Sequence, residues 1–242
     1  MVEQRESPES PKLKNKKYIG SLAKSKREVV EEVKEEVERR DKEEKSERVC
    51  LLDGERGLWT LVLSILTGMV YILDIFHVME YVWKASYVFY KEGSQEARLW
   101  VKEQLIKLLK GEVEGLIEIL KQSLSEKRLT QRGRKTLKKV IGYFERNKDY
   151  MRYDEYLKQG YPIGSGVVEG ACRHPVKDRF ERTGMRWTVK GAEAVLQLRI
   201  IHENNAWERF WKFRINKEKM RRFGGRCWKP KTPVIEIEKK AA

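Results

Sequence analysis

Val49-Cys50-Leu51-Leu52-Asp53-Gly54 is a short apolar run that stops abruptly at Asp-Gly, and Met69-Val70-Tyr71-Ile72-Leu73-Asp74 repeats the pattern further on. Runs of this length, bounded by turn residues, read as buried strands. Between them, Glu55 to Leu66 reads as a helix. Strand, helix, strand in so short a stretch is a βαβ unit, which implies parallel strands and a right-handed crossover. Ligands in such sheets bind beyond the C-terminal strand ends, where Asp53 and Asp74 both fall.

Working outward, residues 1–16 lack apolar periodicity and read as a disordered polar and basic tail. Lys17 to Leu22 reads as a short strand. Residues 25–45 are dense in charge, with Val29, Val30, Val33 and Val37 at helical spacing, so they read as an amphipathic helix with a thin apolar stripe. Residues 76–158 read as wholly helical, with turns expected at Gly111, Gly115 and Gly133. Gly160 to Gly164 breaks the helices; two more follow near 165–182 and 188–203, then an aromatic segment with Trp207, Phe210, Trp211 and Phe213. Residues 217–242 read as a loosely ordered basic tail.

The 242-residue chain carries 52 Lys/Arg against 37 Asp/Glu, a net +15, which points to an anionic partner and to nucleic acid first. Residues 170–242 hold 19 of those cations but only 8 of the acids, so the basic surface belongs to the last third. Three widely spaced cysteines make neither a CxxC nor a zinc pattern, which argues against a disulfide scaffold and fits a reducing cytoplasm. The N-terminus has no signal-peptide character. Leu58 to Leu73 is uncharged but only 16 residues long, short of the ~20 needed to span a bilayer.

Divalent Mg²⁺ (or Mn²⁺) prefers carboxylate oxygens, and a pair of such ions supports phosphoryl transfer. Asp53, fixed at a strand tip, and Glu169, in the first turn of a helix opened by Gly164-Ser165-Gly166, are candidate metal holders. Asp53 also reads as an ordinary Asp-Gly turn, and Glu169 as a favourable charge at a helix N-terminus. Asp74-x-x-His77 is either a helix cap with a partly buried His or an organising pair beside the metal. Arg173 to Trp187 mixes cations with aromatics. Arg173, Lys177, Arg179, Arg182 and Arg186 are candidate phosphate contacts; Trp187 is either a core residue or a base-stacking platform.

Pro162-Ile163-Gly164-Ser165-Gly166-Val167-Val168-Glu169-Gly170-Ala171-Cys172-Arg173-His174, with Glu181-Arg182-Thr183-Gly184-Met185-Arg186-Trp187, closely resembles the C-terminal signature of the ISKra-four group of insertion-sequence transposases. Leu73-Asp74-Ile75-Phe76-His77-Val78-Met79-Glu80-Tyr81 looks like that family's second block, and the similarity covers roughly residues 17–215. The family is similar to acid-triad transposases with an RNase-H-like core, including Mutator-like enzymes.

The resemblance implies a mostly helical α/β fold: an incomplete RNase-H-like core at 17–75, an all-helical insertion at 76–160, and core helices with Glu169 and a basic DNA-facing helix at 161–216. It implies Asp53 as the second catalytic acid, Glu169 as the third, and Asp74 with His77 as the accessory motif. Reading Asp53 and Asp74 as the first two acids is the alternative. It leaves too few residues between them for the strands such a core places there. The family's first Asp sits on an upstream strand, whereas here only Asp41 precedes Asp53, inside the charged helix. The expectation is therefore the C-terminal part of a longer, nucleoid-associated transposase, inactive alone, that binds double-stranded DNA as a homo-oligomer or with a full-length partner. The rival is a non-catalytic DNA-binding remnant or inhibitor. Pro175 departs from the family pattern and is expected to kink the Glu169 helix.

Overall fold

The two apolar runs are strands. In the computed structural model, β1 (Val49–Leu52) and β2 (Val70–Leu73) lie parallel, in register from Val49↔Val70 to Leu52↔Leu73. The structure describes residues 15–43, 45–126, 129–166, 176, 178–180 and 184–224. Among them the fold is mostly helical, with this two-stranded sheet at its centre.

Local chemistry sets the element boundaries. Ser25 and Glu28 form a reciprocal capping box that starts α1 (Lys26–Arg40), which packs on α2 (Arg56–Ile65) through a stripe that includes buried Val30. The Glu55 carboxylate caps α2, accepting from the N–H groups of Gly57 and Leu58 at 3.0 and 2.7 Å. Trp59 and Val62 of α2 are buried. Asp74 caps α3 (Ile75–Phe89), and Ser94 and Thr130 cap α4 (Gln95–Leu109) and α6 (Gln131–Asn147).

With α5 (Val113–Glu126), these helices form one packed body. Helix α3 lies against α4 and α6, and α5 against α4 and α6. Leu108, Leu116, Leu120, Leu137 and Phe144 are fully buried within it. A 3₁₀ turn (Lys148–Tyr150) and α7 (Tyr153–Lys158) return the chain to the sheet.

That return seals one edge of the sheet. Val70 and Asp74 donate their N–H groups to Arg48 and Leu52 of the neighbouring strand, both at 2.8 Å, so the alternate residues Tyr71, Leu73 and Ile75 turn outward. Two of the outward carbonyls and one outward N–H find partners among the described residues. Tyr153 donates its hydroxyl to the Leu73 carbonyl at 2.9 Å, Tyr156 donates to the Tyr71 carbonyl at 3.3 Å, and the Ile75 N–H donates to the Ile163 carbonyl at 2.9 Å. Buried backbone polar groups need such partners, and here phenols take the outward carbonyls of Tyr71 and Leu73.

Several sequence expectations change. Lys17 to Leu22 is not a strand; it lies extended against α9 (Val189–Glu203), held by side chains on one helical face. Asn204, capping α9, exchanges two hydrogen bonds with the Tyr18 backbone at 2.7 and 2.9 Å, Gln197 donates to the Gly20 carbonyl at 2.9 Å, and Glu193 accepts from Ser21 and the Leu22 N–H. Gly115 and Gly133 sit inside α5 and α6 rather than in turns; Gly133 is the residue whose N–H the Thr130 cap holds. The missed turn is at Gly93, in the left-handed region with φ +78°.

The aromatic segment is a helix, α10 (Trp207–Phe223), and it runs past 217, where loose order was expected. Of the helix expected near 165–182, the described residues include Gly166, Val176 and a short turn, α8 (Asp178–Phe180); Pro175 lies outside them. No helix among the described residues is long and apolar enough to cross a membrane.

If the α7 phenols close the β2 edge, Tyr153→Phe leaves the Leu73 carbonyl buried without a donor. The expected loss is about 1–3 kcal/mol, seen as a thermal midpoint lower by ~2–4 °C per kcal/mol for a domain of this size. A midpoint within error of wild type would mean that the carbonyl is satisfied some other way.

Candidate functional site

Beyond the strand tips the chain places two acids side by side. Asp53 and Asp74 each follow the last residue of their strand, and Leu52 and Leu73 are paired, so the two backbones are separated by about one strand spacing, ~4.8 Å. The two carboxylates occupy opposite environments.

Asp53 is exposed, and one oxygen accepts from the Glu55 N–H at 3.0 Å, an Asx-type turn that starts the approach to α2. Gly54 follows with φ +82°. A Cβ there would stand 2.6 Å from the Tyr143 hydroxyl and 3.1 Å from Leu73 Cδ1, so glycine is required both by conformation and by space. Tyr143 of α6 stacks face to face on Tyr81 of α3, with ring centroids 3.7 Å apart. Its hydroxyl is buried and has no hydrogen-bond partner among the described residues. Burial first, then the charges of neighbouring groups including Asp53 and Asp74, push this phenol well above its ordinary value.

Asp74 is almost wholly buried and accepts from four donors. Its Oδ1 takes the N–H groups of Phe76 and Ser165, both at 3.1 Å; its Oδ2 lies 2.8 Å from His77 Nδ1 and also accepts the Ser165 hydroxyl. Burial alone would raise its pKa, but the Ser165 hydroxyl, His77 and the two backbone donors outweigh it and hold the carboxyl below 3.8.

The segment Gly164-Ser165-Gly166 is thereby pinned to the start of α3. A Cβ on Gly164 would meet the Phe76 ring at 2.8 Å, and one on Gly166 would meet it at 3.2 Å, so both glycines allow close approach of this segment to α3.

The structure thus brings Asp53, Asp74 and His77 to one place, as the motif order suggests. Glu169, Arg173, Lys177 and Arg182 lie outside the described residues. Arg179 and Arg186 are exposed, and Arg179 lies 5.7 Å over the ring of half-buried Trp187, which also packs on Phe180. Two participants escaped the sequence reading. Ser165 carried a signal, because it is the polar residue between the two glycines of the quoted block. Tyr143 carried none, because its role depends on α6 crossing the strand tips.

No group of three or more metal-ligating side chains occurs among the described residues. Asp53 has the exposure that a hard cation's ligand needs; Asp74, with both oxygens engaged, does not. No known protein family, curated protein or solved structure matches the chain.

Because Asp74 is held below its ordinary value, its carboxylate stabilises the fold fully above the unfolded value near 3.8, and that contribution is lost as pH falls through the lower folded value. Asp74→Asn should therefore be less stable than wild type near neutral pH, with the gap closing as pH drops below about 4. Urea unfolding across this range measures it, and a constant gap would show that the carboxylate's charge is not what the four donors recognise.

Proposed function

We propose that this chain belongs to a transposase of the ISKra-four type, built on an incomplete RNase-H-like core and directed at the ends of a mobile DNA element, and that it is inactive alone because the first of the three catalytic acids has no counterpart in it. The observation that carries the reading is the parallel βαβ unit whose two strand tips present Asp53 and Asp74, with Gly164-Ser165-Gly166 docked on the second of them. This order of acid, acid-x-x-His and glycine-flanked signature is what the sequence block implies for such an enzyme. Support for a DNA substrate comes from the net +15 charge and its concentration after residue 170.

In this reading Asp53 and Glu169 would hold Mg²⁺ or Mn²⁺, and the ions would polarise a phosphodiester and activate water or a 3′-hydroxyl. Glu169 follows Gly166 by three residues, a separation of at most about 11 Å along the backbone. Gly166 lies against Phe76, in the first turn after Asp74, so the connection is compatible with an approach to Asp53. Asp74 and His77 act on the site indirectly, by fixing Ser165 and hence the entry of the Glu169 segment. Arg173, Lys177, Arg179, Arg182 and Arg186 would contact phosphates.

A second reading, a non-catalytic DNA-binding chain that pairs with an active transposase, has its own support. Asp41, the aspartate that precedes Asp53, is spent on structure: it closes α1 and pairs with Arg48 at 3.1 Å. With Asp74 also committed, Asp53 is the one Asp of the strand tips left exposed among the described residues.

Two measurements test these readings. The purified 242-residue chain should not cut duplex DNA with Mg²⁺ or Mn²⁺; metal-dependent cleavage that is abolished by Asp53→Ala would refute the view that an acid is missing. Binding should still fall with salt. Replacing Arg179 and Arg182 together with Ala should flatten the slope of log affinity against log salt by one to two units, roughly 0.9 per lost phosphate contact. An unchanged slope removes these two arginines from the DNA surface, and absence of any DNA binding sinks the nucleic-acid reading itself.

A further inference from the structure

Helix α10 has no task in the site described above, and it is open to solvent. None of its residues is buried, and from Trp211 to Gly224 every residue except Glu218 is exposed. Its root is fixed. Trp207, Phe210 and Trp211 cluster with ring centroids 5.4, 5.7 and 6.1 Å apart, and His202 of α9 stands 6.2 Å from Trp207. Most helical stability in proteins comes from packing one face, and beyond its root this helix buries none.

Helical spacing sorts its side chains. Arg209, Phe213, Asn216 and Met220 fall at i, i+4, i+7 and i+11, which is one face, and there Phe213 and Met220 are 62 and 64 % exposed. Lys212 and Lys219 line one flank of that face, and Lys217 and Arg221 line the other. The helix carries seven Lys/Arg against two Glu, so the complementary partner is an anion.

Two rows of cations on either side of a narrow mixed face match a DNA duplex better than other anions. An α-helix with its side chains is about 10–12 Å across, and the major groove of B-DNA is about 12 Å wide. A helix lying there meets a phosphate backbone on each flank and base edges between them. Arginine, asparagine and apolar side chains are the groups that read guanine, adenine and the thymine methyl. A membrane-surface helix needs one continuous apolar side, but Trp207, Trp211 and Ile215 lie on the opposite side of α10 from Phe213 and Met220. A second copy of the helix would set like charges against each other.

We infer that α10 is a DNA-recognition helix that lies in the major groove, with Arg209, Phe213, Asn216 and Met220 toward the bases and the two flanking rows on the phosphates. This rests on the nucleic-acid part of the proposed function and on none of its catalytic residues.

Fluorescence anisotropy tests it, with the full 242-residue chain on a labelled mixed-sequence DNA duplex and on an RNA duplex of the same sequence, whose deep, narrow major groove excludes a helix. Lys212→Ala with Lys217→Ala should flatten the slope of log affinity against log salt by one to two units, roughly 0.9 per lost phosphate contact. Phe213→Ala with Asn216→Ala should weaken DNA binding roughly tenfold with the slope unchanged, and leave RNA binding as it was. All four side chains are exposed, so both variants should keep the wild-type thermal midpoint. DNA binding that neither double substitution alters overturns the inference and leaves the nucleic-acid reading standing, whereas no binding to either duplex removes both. Equal losses on DNA and RNA would take the helix out of the major groove. Loss of binding to phosphatidylserine vesicles with DNA binding intact would make the partner a membrane instead.

Discussion

The buried carboxylate of Asp74 is the constraint on which the strand-tip region depends. An ionised group taken out of water is tolerated only when its lone pairs are filled, and four donors fill these: two backbone N–H groups, a serine hydroxyl and an imidazole. Hydrogen bonds to a charged group are each worth roughly 1.5–3 kcal/mol. The donors come from two parts of the chain, because Ser165 lies 91 residues from Asp74. One side chain therefore ends β2, begins α3 and anchors a segment that the chain reaches only after all the helices from α3 to α7. A neutral residue of the same shape offers no reason for those donors to converge.

The helical stretch between β2 and Gly164 is accordingly structural as well as spatial. It supplies the phenols of Tyr153 and Tyr156 that take two outward carbonyls at the edge of β2, and the Tyr81–Tyr143 stack beneath Gly54. Two parallel strands of four residues cannot stand alone. Here the helices cover their faces and one edge, and the strand tips are left as the place where polar side chains gather. His77 shows the coupling directly: it lies in the first turn of α3, where the Asp74 cap fixes it, so its position follows from the cap and not from packing alone.

How much of this was legible follows from where each signal lies. The βαβ unit was readable because its apolar runs are short, bounded and close together, and Asp53 and Asp74 fell at strand tips as that pattern requires. Asp74 as a cap with His77 in the first turn was readable because capping is local. The turns assigned to Gly115 and Gly133 were not there: a glycine in a helix costs less than 1 kcal/mol or so, and at Gly133 the missing Cβ makes room for Val88, 3.0 Å from where it would stand. Lys17 to Leu22 has strand-like residues, but its backbone partners are side chains of α9, more than 170 residues away, and no local pattern encodes that.

The same accounting separates the two aspartates in function. A cation that bound Asp74 would have to displace the Ser165 hydroxyl or the His77 nitrogen, or share an oxygen already held by two donors, and in doing so would release the Gly164–Gly166 segment that brings the chain toward Glu169. A cation bound at Asp53 would displace nothing but water and at most the single Glu55 N–H bond. Exposure leaves Asp53 with a single turn hydrogen bond and room for a ligand; burial gives Asp74 four donors and none. Two residues of the same type, one strand spacing apart, differ in what they are free to bind by how many donors each carboxylate already holds.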